Sequence, residues 1–347
     1  MQPRDIFLLA MDRQDLPRVP FVETSIAFGL GEKILGRRLK PVEIPRLNTR
    51  IRNVVDEKEL ARKLGRDEIC IRFTAPTFCD KIRGIDGIEY LGEGHIKDMD
   101  AFAKLFHLPD PDDESLYEPV KAYVESKDEF PVICSMRLGF LSAYMSIGFT
   151  TMMEALYANH ELIDAVMTAY VNWSAHVIRR LIDMGVDCIK TTDDFAFNTG
   201  PFISPEMFRT WVFAYHRKAH AEINVPWILH TDGNIDLLLE DLFVLPFNAL
   251  HPIDPNCYDI RAFIRRHGHR KVIIGNVNLN NLGMGTPDSV EEETKGLLRD
   301  LGPGGGWCIS ASNSVPDYVK PENLLRMAET IRRYGSCPIQ IEKQDVT

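Results

Sequence analysis

Apolar residues in this chain come in short runs that stop abruptly at polar or ionisable ones. Trp227, Ile228 and Leu229 are long enough for a buried strand, and the run ends in His230-Thr-Asp-Gly-Asn234. Leu237, Leu238 and Leu239 then open a helical stretch, 235–242, whose first turn Asn234 or Asp236 can cap. The same strand-like pattern recurs near residues 21, 70, 132, 187, 228, 249, 273 and 308. Between these runs the period changes to that of a helix. Over 160–184, Leu162, Val166, Tyr170, Trp173 and Val177 fall on one helical face. Ser204 followed by Pro205 starts another helix over 205–222. Helices are also predicted over 98–106, 115–126, 151–157 and 288–300, and from Pro321 to Tyr334. Near the start, 3–16 reads as a helix and 25–65 as irregular and helical, with Asp56 and Glu59 forming a capping box. Residues 74–98 read as an excursion or small hairpin, 107–113 as a Pro/Asp linker and 336–347 as a loosely held tail.

Repeated strand–helix units with tight connections predict a parallel sheet. Eight of them predict an α/β fold, a single (β/α)8 TIM barrel domain over 1–347 with N-terminal helical additions. No Gly-x-Gly-x-x-Gly follows an early strand, which argues against a dinucleotide fold. Gly304-Gly-Gly306 precedes a strand rather than a helix, so it reads as a turn and not a phosphate cradle.

Composition narrows the function classes. The formal charge of -10 argues against a nucleic-acid partner. Charged residues interrupt every apolar run before membrane length, and Met-Gln-Pro-Arg-Asp has no signal-peptide pattern. Seven scattered cysteines without a Cys-x-x-Cys pair suit reduced thiols and a cytoplasmic location.

In a barrel, the strand C-termini converge on one mouth, where the chemistry is placed. The ends here supply Glu23, Met136, Asp193 with Asp194, His230 with Asp232, His251, Asn276 and Asn313. His230 and Asp232 lie two residues apart and point the same way on extended backbone, as a ligand pair or a base with its orienter. Each residue also has a plain structural reading: a turn-shaping Asp232, a satisfied interior His230, a capping Asp193 or Asp194, a loop-satisfying Asn276 or Asn313. The number of such groups at successive strand ends favours a site.

These residues carry a resemblance. Pro17-Arg-Val-Pro20, Gly185-Val-Asp187 leading to Asp193-Asp194, Ile203-Ser-Pro-Glu-Met-Phe208, His230-Thr-Asp-Gly-Asn234, Asn248-Ala-Leu-His-Pro252, Ile274-Gly-Asn276, Gly285-Thr-Pro287, Pro303-Gly-Gly-Gly306, Val315-Pro and Pro321-Glu-Asn323 run in order over nearly the whole chain. Together they resemble the uroporphyrinogen decarboxylase superfamily, in its corrinoid- and coenzyme-M-methyltransferase branch. The resemblance implies a (β/α)8 barrel and a dimer. It also marks two departures. The Arg-rich Gln-Ala-Gly-Arg-Tyr segment of true uroporphyrinogen decarboxylases is replaced by Glu23-Thr-Ser-Ile-Ala-Phe-Gly29, which argues against a porphyrinogen substrate. The thiol methyltransferases of the other branch hold zinc by His-x-Cys and a later Cys. Here Asp232 and Asn313 stand at those positions, with Cys308 a few residues early. Carboxylate and amide donors make a harder site than thiolates.

The resulting expectation is a methyltransferase that demethylates a methoxylated, aromatic small molecule and passes the methyl group to a corrinoid. His230, Asp232 and Asp194 are the catalytic candidates, with zinc on His230 and Asp232. Glu23, Met136, Asp193, His251, Asn276 and Asn313 would contact substrate. The chain has no Asp-x-His-x-x-Gly motif, so cobalamin would arrive on a separate corrinoid protein. Three alternatives stand beside this: a decarboxylase of a small or aromatic acid, for which Arg137 or Lys190 would hold the carboxylate; a methylcobamide:thiol methyltransferase; and a non-catalytic binding protein.

Overall fold

The computed structural model of the chain describes residues 1–47, 49–83 and 89–341. Residues 342–347 of the expected loose tail, and 84–88 of the expected excursion, lie outside the described residues. Seven parallel strands form one sheet in chain order: β1 (Ile69–Arg72), β2 (Val132–Met136), β3 (Cys188–Thr192), β4 (Trp227–His230), β5 (Ala249–His251), β6 (Val272–Ile274) and β7 (Trp307–Cys308). Helices connect successive strands, giving the TIM-barrel architecture.

The eighth strand expected near 21 is a correction: Phe21 makes only an isolated parallel bridge to Ile309. The reason is local. Pro20 has no N–H to give, and two neighbouring amides are taken by side chains. Phe21 N–H donates to Asp67 Oδ2 at 2.9 Å and Glu23 N–H to Glu68 Oε1 at 3.2 Å. Carboxylates thus replace part of a β ladder. The segment still spans the gap between the sheet edges: Val22 N–H donates to the Ile309 carbonyl at 3.0 Å, and the Phe21 carbonyl accepts from Asp67 N–H at 2.9 Å.

Strand side chains alternate between two buried shells. Ile133, Cys188, Ile228, Ala249, Val272, Ile274 and Cys308 form an inner cluster with Phe7, Ala10 and Met11 of the helix Pro3–Met11. That helix covers the N-terminal end of the barrel. Its Arg4 N–H reaches the Glu129 carbonyl before β2, and Asn248, before β5, donates to the Met11 carbonyl. The opposite phase, including Cys134, Met136, Ile189, Leu229, Leu250 and Ile273, packs outward against the helices.

Other boundaries moved for identifiable reasons. The first helix stops at Met11 rather than 16, with Arg13 at φ 55. The 25–65 region holds helices Phe28–Leu35 and Val54–Leu64 around an antiparallel pair, Val42–Ile44 with Thr49–Ile51. Asn53, not Asp56, caps Val54–Leu64 by accepting from Asp56 N–H at 2.9 Å, while Asp56 and Glu59 both bind Arg37. The small hairpin expected after residue 74 is present as Cys79–Arg83 paired with Glu89–Gly94. Gly304, Gly305 and Gly306 all adopt positive φ (92°, 67° and 74°), the turn that leads into β7.

Candidate active site

The inner phase of each strand reaches the mouth with its last residues. His230 and His251 are register partners on β4 and β5, and both rings point inward. Their Nδ1 atoms are 2.7 Å apart and the rings are stacked at 4.9 Å between centroids. At that distance one Nδ1 carries the proton and the other accepts it. The other face of His230 meets two carboxylates. Nε2 lies 3.8 Å from Asp194 Oδ1 and 3.8 Å from Asp232 Oδ1.

The turn after β4 fixes this arrangement. Asp232 N–H donates to Asp194 Oδ1 at 3.2 Å, and Thr231 Oγ1 accepts from Phe195 N–H at 3.0 Å. Gly233, at φ +82, packs against the carbonyl of Ala196. A Cβ there would come within 2.5 Å of that oxygen, so only glycine lets the two loops touch. Asn313 reaches across from beyond β7 and donates through Nδ2 to Asp232 Oδ2 at 2.7 Å. It therefore orients the carboxylate.

Asp194, His230 and Asp232 bring one nitrogen and two oxygens within 4.8 Å of one another. Three buried polar atoms at the mouth have no hydrogen-bond partner: Asp232 Oδ1, His251 Nε2 and Asn276 Oδ1. A zinc ion fits this donor set. Ligand atoms about 2.0–2.2 Å from a tetrahedral ion stand about 3.3–3.6 Å apart, close to the 3.8 Å from Nε2 to each carboxylate. The orphaned Asp232 Oδ1 is the acceptor such an ion would satisfy.

Partial burial sets the protonation of the cluster. Burial, then the nearby Asp232, pushes Asp194 up from 3.8 to about 7. Burial also raises Asp232, against the Asn313 hydrogen bond. Burial and then Lys190 hold His230 and His251 well below the usual histidine range, so both rings are neutral.

Three other sequence candidates, Met136, Asp193 and Glu23, fall elsewhere. Met136 is fully buried in the outward phase, against the helices, and does not face the mouth. Asp193 is occupied: its carboxylate accepts from Leu138 N–H (2.6 Å), Leu141 N–H (2.8 Å) and Gly139 N–H (3.4 Å). It holds the loop that starts the helix Phe140–Ile147, which the sequence reading passed over. Asp193→Ala orphans these amides and is expected to cost about 3 kcal/mol, measured by urea denaturation; Asp193→Asn recovers part by keeping one acceptor oxygen. Asn276 is buried, with its Oδ1 free, after a cis Gly275–Asn276 peptide bond.

Glu23 lies in a buried charge network. Its Oε2 accepts from Ala311 N–H at 2.9 Å, and its carbonyl accepts from Arg66 Nη1 at 2.7 Å. Burial raises its carboxyl from 4.5 to about 7, opposed by the Ala311 N–H, Lys190 and Arg66. A raised folded pKa means that the fold keeps a proton which the unfolded chain gives up above 4.5. Stability therefore falls as pH rises toward 7. Relative to wild type, Glu23→Gln is expected to gain about 2–3 kcal/mol between pH 5 and pH 8. A pH-independent difference in urea midpoints would show that Glu23 is already ionised in the fold.

Lys190 belongs to the same interior. Its ammonium donates to Thr24 Oγ1 at 2.6 Å, and burial pushes its pKa down. It shares the inward phase of Cys188, two residues earlier on β3.

Comparison with known proteins places these observations. Residues 91–334 match the family model for uroporphyrinogen decarboxylase (URO-D). Uroporphyrinogen decarboxylases of Neisseria meningitidis serogroup C and Neisseria gonorrhoeae are each 23% identical over 244 residues, covering 68% of this chain. The match covers 66% of those relatives, just under two thirds of their length. Among solved structures, a methyltransferase from Methanosarcina mazei superposes with a TM-score of 0.73 at 16% identity, covering 96% of this chain and 99% of that one. Among the described residues, no helix is long and apolar enough to cross a membrane.

Proposed function

Because the chain belongs to the uroporphyrinogen decarboxylase family, and its barrel mouth gathers buried His230 with half-buried Asp194 and Asp232, we propose that it is a methyltransferase. It takes a methyl group from the oxygen of a methoxylated aromatic compound and hands it to a separate corrinoid protein. The observation that carries this reading is the facing of His230 Nε2 by two carboxylate oxygens at 3.8 Å, one of them otherwise unpartnered.

Breaking the O–CH3 bond leaves both electrons on a poor leaving group, an aryl oxide. The methyl goes to the cobalt(I) nucleophile of the partner, and the oxygen must gain a proton or a cation. His230 and Asp232 would hold zinc, which supplies Lewis-acid stabilisation of that oxygen. Without a cation there, Asp194, whose carboxyl burial raises to about 7, keeps a proton near neutrality and can deliver it to the departing oxygen. His251 fixes the His230 ring through the Nδ1–Nδ1 bond, and Asn313 fixes the Asp232 carboxylate.

This donor set disfavours thiol methylation. Cys308, the nearest counterpart of a late zinc cysteine, is buried in the inner apolar layer, and burial raises its thiol. The test is elemental analysis of protein purified without chelator, followed by addition of a methoxylated aromatic and a reduced corrinoid protein. About one zinc per chain and the absorbance of methylcobalt(III) are expected. Metal-free protein that forms no methylcobalt would sink the reading.

A further inference from the structure

A second polar site stands on the same rim. Arg72 ends β1, and Arg137 directly follows β2. With Thr49, Thr74, Thr77 and Arg50 they line a concave pocket of about 270 Å³. Arg50 is neutralised by Glu43 at 3.0 Å. Arg72 and Arg137 have no carboxylate within ion-pair distance among the described residues, although the chain carries 50 acidic side chains. Burial, then the charge of Arg137, draws Arg72 down from 12.5 to about 10. Arg72 is exposed at the pocket, and the charge of Arg137 acts on it. Two guanidinium groups that line one pocket and have no carboxylate counter-ion among the described residues can take an anion between them.

The position relates this pocket to the reacting cluster. Arg137, just after β2, is one strand from Asp194 after β3, and its charge reaches that carboxyl. It lies two strand spacings, roughly 10 Å, from His230 on β4. A benzene ring carrying a substituent at each end, extended by the arginine side chain, bridges such a gap. Resting on the methyl-transfer reading above, we propose that Arg72 and Arg137 bind the carboxylate of the substrate, which is a methoxylated aromatic acid.

The experiment measures binding apart from turnover. 4-Methoxybenzoate and its uncharged analogue methoxybenzene are titrated calorimetrically into the wild-type protein, Arg137→Gln, Arg137→Lys and Arg72→Gln. The acid is expected to bind the wild type, to lose about thirty-fold in affinity in either Gln variant, and to recover part in Arg137→Lys. Methoxybenzene should bind all four alike. Circular dichroism of each variant establishes that it is folded. Equal affinity of the acid for wild type and both Gln variants would overturn the proposal, even if methyl transfer occurs. Arginine-dependent binding of the acid without methylcobalt formation would uphold the carboxylate site and overturn the methyl-transfer reading instead.

Discussion

His230→Ala is expected to lower methyl transfer by at least about 10³-fold, and to remove bound zinc, while the barrel stays folded. The imidazole is the only nitrogen in the Asp194–His230–Asp232 cluster, and both carboxylates face its Nε2. Alanine leaves two raised carboxyls opposite each other with nothing between them. The structural cost is confined to His251, whose Nδ1 loses its partner. That amounts to about 1–3 kcal/mol, within the margin of an ordinary domain. Zinc content, circular dichroism and methylcobalt formation together check the claim. Turnover near wild type would remove His230 from the site. Asp232→Cys makes the complementary case: a thiolate restores a zinc ligand, so the metal should stay while the aryl ether reaction weakens at a softer centre.

Arg66→Met is expected to destabilise the fold by about 3–5 kcal/mol, the largest single loss foreseen here. The Arg66 side chain is 1% exposed, and its Nη2 meets Glu57 Oε1 at 2.6 Å. Arg52 binds the other Glu57 oxygen at 3.1 Å. Burial alone would raise Glu57, but Arg66 and then Arg52 outweigh it and hold the carboxyl below its usual range. Glu68, also buried, is pushed well above the usual range by desolvation, with Arg66 opposing. Removing the guanidinium leaves buried Glu57 with Arg52 as its remaining cationic partner, and leaves the Glu23 carbonyl without its donor. Glu23 and Glu68 can take up protons; Glu57 would have to follow. A change below 1 kcal/mol in urea denaturation would contradict this account. Arg66→Lys, which keeps the charge but not the fork, should fall between.

Much of the site was legible because strand ends declare themselves. The run Trp227-Ile-Leu and its abrupt polar close located His230 and Asp232, and the polar end of the preceding strand supplied Asp194. What could not be read was the phase of a strand that is buried on both faces. Cys134, Ser135 and Met136 carry no polar–apolar alternation that says which side faces the axis, so Met136 was placed at the mouth although it points outward. Asp193 and Asp194 are adjacent, and only the backbone shows that one caps a loop and the other faces His230. Some signals were present but unused. Asn53 precedes its helix with Asp56 three residues on, and Asp259 caps Ile260–His267, whose Ile260, Phe263 and Ile264 keep helical spacing. The first strand failed for a reason that lies far along the chain: its amides are answered by Asp67 and Glu68 rather than by a neighbouring ladder.

The junction of Phe21 with Ile309 links positions 288 residues apart. A ribosome makes the first long before the second. Until β7 has emerged, the Pro20–Glu23 segment has its Asp67 and Glu68 partners on one side only, and the inner apolar layer is open along the other. Closure is therefore a late event in synthesis, governed by contacts of very high sequence separation. A sheet not yet closed at this seam has a free edge, the feature through which strands pair with another copy.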